Sequence, residues 1–145
     1  MRARPVELDE RNVAVARQAA RTAGLDGVEA LQADAGITHA CAGAAPAQIV
    51  VVCGIFGNAT VSDIRATAAA LPSLCAPGAP VLWTRHRQPP DPTPSIRSWF
   101  RDAGFREEAF DTSRDGFMSV GAHRLTGEPA ALVPGQRPFT FGATT

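Results

Sequence analysis

The sequence lacks tyrosine, lacks an excess of either charge, and contains no apolar run near the ~20 residues of a membrane span. With 14 basic and 14 acidic residues there is no basic excess of the kind a nucleic-acid binder shows, and only Arg85-His86-Arg87 forms a basic cluster. The N-terminus passes from Met-Arg-Ala-Arg-Pro straight into Val6-Glu7-Leu8-Asp9, without the apolar stretch of a secretory leader. The chain therefore reads as cytoplasmic, with no membrane and no nucleic-acid partner. Its three cysteines, Cys41, Cys53 and Cys75, are odd in number and lack Cys-x-x-Cys spacing. A disulfide framework and a zinc site are excluded on that pattern, and each thiol is expected to be buried. His39 and His123 have no metal-ligand spacing and read as structural, so no metal is expected. No internal repeat is present.

What remains is an alternation of strand and helix signals. Val6-Glu7-Leu8 reads as the end of a strand, followed by a helix over residues 10–23 with Asp9 as N-cap and Gly24 as left-handed stop. Residues 28–33 form a second strand ending at Asp34. A small-residue connection leads to Ile49-Val50-Val51-Val52-Cys53, a β-branched run expected to be buried on both faces. Gly54-Ile55-Phe56-Gly57-Asn58 is a loop, and Thr60 or Ser62 caps a helix to about Leu74. Residues 79–84 form a strand, and a proline-rich loop follows. Thr93 caps the next helix with Pro94 at its first position, and Ile96, Trp99 and Phe100 form its buried stripe. Residues 105–110 and 117–125 are two strands joined by a turn, so they pair antiparallel. Residues 1–125 read as one α/β domain and 126–145 as a C-terminal tail in which Phe139 and Phe141 pin back on the body. This order predicts a mostly parallel sheet with helices on both faces.

The order, with acids at two strand ends, resembles the class I S-adenosylmethionine-dependent methyltransferases over residues 6–125, most of the chain. Val6-Glu7-Leu8-Asp9-Glu10-Arg11-Asn12, Cys53-Gly54-Ile55-Phe56-Gly57-Asn58 and Trp83-Thr84-Arg85-His86-Arg87 are similar to an uncharacterised bacterial group of that family. The resemblance implies a three-layer Rossmann-like fold with an antiparallel C-terminal strand. It also implies S-adenosyl-L-methionine as cofactor and a small-molecule acceptor.

The chemistry fits position by position. In open α/β sheets ligands lie at the carboxyl ends of strands. A carboxylate at Glu7 offers two acceptor oxygens to the two hydroxyls of a ribose, the role the family gives this position. Leu8 would lie against the adenine. The family's acid at Asp34 accepts from the adenine amino group, with the Ala35 amide meeting a ring nitrogen. Against this, Glu7 alone is a common strand-end acid, and Asp34 alone is a common cap for the Gly36 turn. Cys53 and Gly54 begin the loop beside the methionine part of the cofactor. Asn58 either orients acceptor or caps the next helix. Arg85 and His86 follow the next strand as anion holders, a base, or a solvated basic loop. No nucleophile with a positioned base is visible.

One departure from the family stands out. Its first strand ends in a Gly-x-Gly loop, and here no glycine precedes Gly24. The resemblance thus implies a fold lacking its first strand and glycine-rich loop. That strand would be central, between Val6 and Ile49, and each buried backbone group left unpaired costs roughly 1–3 kcal/mol. Three outcomes are open: direct pairing of the two flanking strands, filling by a partner or second copy through the open sheet edge, or a fragment that folds poorly. The first and third are expected, with cofactor bound weakly or not at all. Two other functions compete. One is a non-catalytic binding module using the open edge. The other is a nicotinamide-dependent oxidoreductase, disfavoured by the antiparallel closing pair and the absence of Gly-x-Gly-x-x-Gly.

Overall fold

A computed structural model of the chain describes residues 1–142. Its strands are β1 (Val6–Glu7), β2 (Leu31–Gln32), β3 (Val50–Val52), β4 (Pro80–His86), β5 (Phe105–Thr112) and β6 (Met118–Leu125). Its helices are α1 (Glu10–Thr22), α2 (Val61–Ala70) and α3 (Thr93–Asp102), with 3-10 turns at Thr38–Cys41 and Leu71–Ser73. The fold is mixed α/β. Every strand pair that excludes β6 is parallel, and β6 runs antiparallel to both β4 and β5. Among the described residues no helix is long and apolar enough to cross a membrane.

Local chemistry sets the element ends. Asp9 accepts the Arg11 amide through Oδ1 at 2.8 Å and caps α1. Gly24, at φ 65°, ends it in the left-handed conformation that a side chain disfavours. Thr60 caps α2 through Oγ1 to the Asp63 amide at 3.2 Å. The cap of α3 differs from the sequence expectation. Asp91, rather than Thr93, supplies it, its Oδ1 accepting the Thr93 amide at 2.9 Å. Pro92 stands at the N-cap, so an acid just upstream does the work.

Among the described residues the strands fall into two sheets, β1-β2 and β3-β4-β6-β5, with no ladder between them. Direct pairing of the Val6 and Ile49 segments therefore does not occur. β1 pairs only β2, and β3 pairs only β4. Along β1, the carbonyls of Pro5 and Glu7 face β2 and accept from Leu31 and Ala33. Backbone groups alternate in direction along a strand, so those of Val6 face away from β2 toward an open edge.

The larger sheet is packed on one face. Val81 and Trp83 of β4 and Leu125 of β6 join Ile64 and Ala68 of α2 and Ile96 and Phe100 of α3 in a continuous core. Burying each of the larger side chains contributes about 1.5–3 kcal/mol. Trp83 is at its centre, with ring centroids of Phe56, Phe100, Phe110 and His123 between 5.9 and 6.1 Å away. Its indole N–H donates to His123 Nδ1 at 3.1 Å, which fixes His123 as a core residue. The other face is open: Ile49 and Val51 are each 56% exposed, and Val120 is 49% exposed. The β-branched run at β3 is thus buried on one face rather than both. Val52, at 4% exposure, points into the core, and half-buried Val50 packs against it. The cysteines divide likewise. Cys75 is buried and Cys41 half-buried, whereas Cys53 is exposed, contrary to the expectation that all three lie inside.

Candidate functional site

β1 and β2 run parallel with Val6 opposite Leu31 and Glu7 opposite Gln32. The Ala33 amide donates to the Glu7 carbonyl at 3.1 Å, carrying the pairing to the strand ends. Glu7 and Asp34 consequently stand at the same ends of adjacent parallel strands. Glu7 is half-buried, and its Oε1 accepts the Asp9 amide at 2.9 Å. Leu8 beside it is 55% exposed, an apolar side chain left uncovered at the strand end.

Asp34 is more heavily engaged. Oδ1 accepts the Gly36 amide at 2.8 Å, and Oδ2 accepts from Arg137 Nη1 at 2.8 Å. Burial alone would push this carboxyl up; the Arg137 hydrogen bond, the Gly36 amide and the Arg137 charge together outweigh it and hold the carboxyl below its usual value. Asp34 also lines a cavity of about 380 Å³ with Arg4, Glu29, Leu31, Ala33 and Ile37, to which neither Glu7 nor Leu8 contributes. That volume falls within the range of small-molecule sites. Ala35, half-buried, follows directly in the turn.

The second group of expected residues gathers at the carboxyl ends of β3 and β4. Gly54 takes φ 72°, which a side chain disfavours, and a Cβ there would meet open space. Asn58 does not cap α2, which Thr60 caps; it is exposed, and its Nδ2 donates to the Gly54 carbonyl at 2.7 Å. Arg85 and His86 belong to β4 rather than to the loop after it. Arg85 is only 9% exposed, so it is no solvated basic residue. Its guanidinium donates to the Phe56 carbonyl, and the Ser119 hydroxyl donates to the Arg85 carbonyl at 2.9 Å. Burial pulls the Arg85 pKa down, partly offset by the charge of Asp91. His86 stacks on Phe117 with centroids 6.0 Å apart and an interplanar angle of 19°. Its Nε2 lies 3.4 Å from the Gly57 carbonyl. Arg85 Nε and His86 Nδ1 are buried without a partner among the described residues.

The structure thus assembles two clusters, one on each sheet. Among the described residues no hydrogen bond or ion pair joins Glu7 or Asp34 to Cys53, Asn58, Arg85 or His86. What reaches the first cluster is the tail, through Arg137, which the sequence reading did not single out. The signal was there in Pro134-Gly135 followed by Arg137 and the alternate phenylalanines Phe139 and Phe141. Among the described residues no group of three or more His, Cys, Asp or Glu side chains converges as a metal site.

No known family profile and no curated protein sequence matches the chain. Solved structures do match its fold. An O-methyltransferase family protein from Burkholderia thailandensis superposes with TM-score 0.69 at 17% identity, over 86% of this chain and 43% of its own. A SAM-dependent methyltransferase from Aquifex aeolicus gives TM-score 0.55 at 12% identity, over 86% of this chain and 69% of its own. A third, from Methanosarcina mazei, gives 0.57 at 13% identity, over 86% and 82%. The chain therefore shares the mixed α/β fold of these structures. The chain spans less than half the length of the Burkholderia protein.

Proposed function

We propose that this chain carries the adenosine-recognising side of an S-adenosylmethionine-dependent methyltransferase whose acceptor is a small molecule. The observation that carries the reading is the placement of Glu7 and Asp34 at the ends of adjacent parallel strands. A carboxylate at Glu7 suits a ribose diol, an acceptor at Asp34 suits an exocyclic amine, and exposed Leu8 suits the face of a base. The Ala35 amide supplies a donor for a ring nitrogen.

The fit is one-sided. The adenosine end of the cofactor meets matching groups. For the methionine end, no glycine-bearing strand lies between β1 and β3 among the described residues. Cys53 and Gly54 offer only an exposed thiol and an open backbone turn there. On the acceptor side, Arg85 Nε and His86 Nδ1 lack partners among the described residues but are buried, so neither is presented to a ligand. We therefore expect weak cofactor binding by the chain alone.

Calorimetric titration with S-adenosylhomocysteine, beside NAD, tests this. Glu7→Gln and Asp34→Asn each remove a charged acceptor, a change on the order of 1.5–3 kcal/mol when the bond is made. Each is expected to weaken S-adenosylhomocysteine at least tenfold. Preferential binding of NAD, or variants indistinguishable from the parent, would sink the reading. Micromolar binding by the parent would overturn the expectation of weakness alone.

A second reading is favoured by the open edges of β1 and β3 and by exposed Ile49 and Val51. It makes the chain a binding module that completes its sheet with a strand from another chain or a second copy. A defined oligomer on sizing chromatography, with no melting shift from S-adenosylhomocysteine, is its signature.

A further inference from the structure

The tail lies against the turn that follows β2. From Val133 to Thr140 it is fixed at four points: the Thr38 hydroxyl donates to the Val133 carbonyl at 2.7 Å, and the Thr38 amide to the Gln136 carbonyl at 2.9 Å. Arg137 pairs with Asp34 at 2.8 Å, and the Thr140 amide donates to Asp63 Oδ2 at 3.2 Å. Phe139, 4% exposed, packs edge-on against Phe141 with centroids 5.1 Å apart and anchors the segment. Its carbonyl oxygen fills the space that a side chain on Gly36 would need.

We infer that this tail is a built-in competitor for the adenosine site, with the Arg137 guanidinium standing on Asp34 where an adenine amino group would donate. The inference rests on the adenosine reading of Asp34. Both groups offer N–H donors to one carboxylate, and Asp34 Oδ1 is already committed to Gly36. The tail backbone also crowds Gly36, in the turn beside Asp34. The pair is suited to exchange rather than to permanent closure, since the Arg137 and Asp34 side chains are 43% and 30% exposed. Phe139 stays seated while Arg137 swings out. Binding of adenosine and the Arg137–Asp34 contact thus exclude one another.

The test uses the full chain and the variants Arg137→Gln and Arg137→Lys, titrated with S-adenosylhomocysteine while hydrogen exchange is followed over residues 133–141. Truncation is avoided because it would remove buried Phe139. Arg137→Gln should bind about fivefold tighter, the scale of a half-exposed ion pair. Arg137→Lys, which keeps a charged donor, should stay near the parent. Ligand should raise exchange at residues 136–137 in the parent while the Thr140 amide on Asp63 stays protected. Equal or weaker binding by Arg137→Gln, with the parent still binding, overturns the competitor and leaves the adenosine reading intact. No binding by any of the three proteins up to about 5 mM overturns both.

Discussion

Replacing Gly121 with alanine would drive a methyl carbon into the indole of Trp83, closer than 3.0 Å to Cε2, Cζ2 and Nε1. In a strand interior the same change usually stabilises by about 0.5–1 kcal/mol through lost backbone entropy in the unfolded chain. Gly121 is not among the positive-φ glycines, so backbone strain adds nothing and the outcome isolates packing. Trp83 has no room to retreat. It is fully buried, four rings stand within 6.1 Å, and His123 holds its N–H. Overpacking of this kind costs about 1–3 kcal/mol, and the caged ring puts Gly121→Ala at the upper end. At about 2–4 °C per kcal/mol for a chain near this size, the melting temperature should fall by about 6–12 °C. Urea unfolding followed by circular dichroism, run alongside thermal melts, measures it. In a Trp83→Phe background, where the outer indole is gone, the added methyl should cost less, with a coupling of about 1–2 kcal/mol. A melting temperature within about 2 °C of the parent, or additive double-variant behaviour, would refute the packing described for this core.

The remaining expectations concern titration and reactivity. Burial lowers the His123 pKa from 6.5, with Glu107 opposing and Arg97 assisting. A group depressed in the folded state stabilises fully above its unfolded value and loses that contribution as pH falls below it. Melting temperature should therefore decline below pH 6.5, and the decline should flatten in His123→Gln, which keeps an acceptor for Trp83. An unchanged pH profile in that variant would place the titration elsewhere. Among the thiols, exposed Cys53 should react first with a disulfide reagent, and Cys75, pushed up to about 11 by burial, last. Early labelling of Cys75 in the folded protein would contradict the buried site at the edge of α2 and β4. Burial likewise raises the half-buried Cys41, with Arg4 opposing, so it should label between the two.

The sequence announced most of the local structure because local chemistry decides it. Asp9, Gly24 and Thr60 sit where their side chains, or the lack of one, settle a helix end. The closing antiparallel pair followed from two strand segments joined by a polar turn. The acids at the two strand ends were visible for the same reason, since strand ends are short-range features. What the sequence hid depends on partners far along the chain. Val50-Val51-Val52 reads as doubly buried, but among the described residues nothing covers Val51, which is left 56% exposed. Arg85 reads as a surface base until Phe56 and Ser119, 29 and 34 residues away, close over it. Arg137 is one basic residue in a turn-rich tail, and its meaning comes from Asp34, 103 residues earlier.

The two sheets share no ladder, so the tail has a mechanical role besides. It ties Asp34 and Thr38, beside the small sheet, to Asp63 and Pro72, on the helical side of the large one. The β1–α1–β2 unit has few backbone bonds to the remainder, and it should open as a separate unit at lower free energy than the Trp83 core. Hydrogen exchange would then resolve two protection classes in one small chain, with the seam along residues 133–140. Loosening that seam would free the small sheet while the aromatic core stays closed.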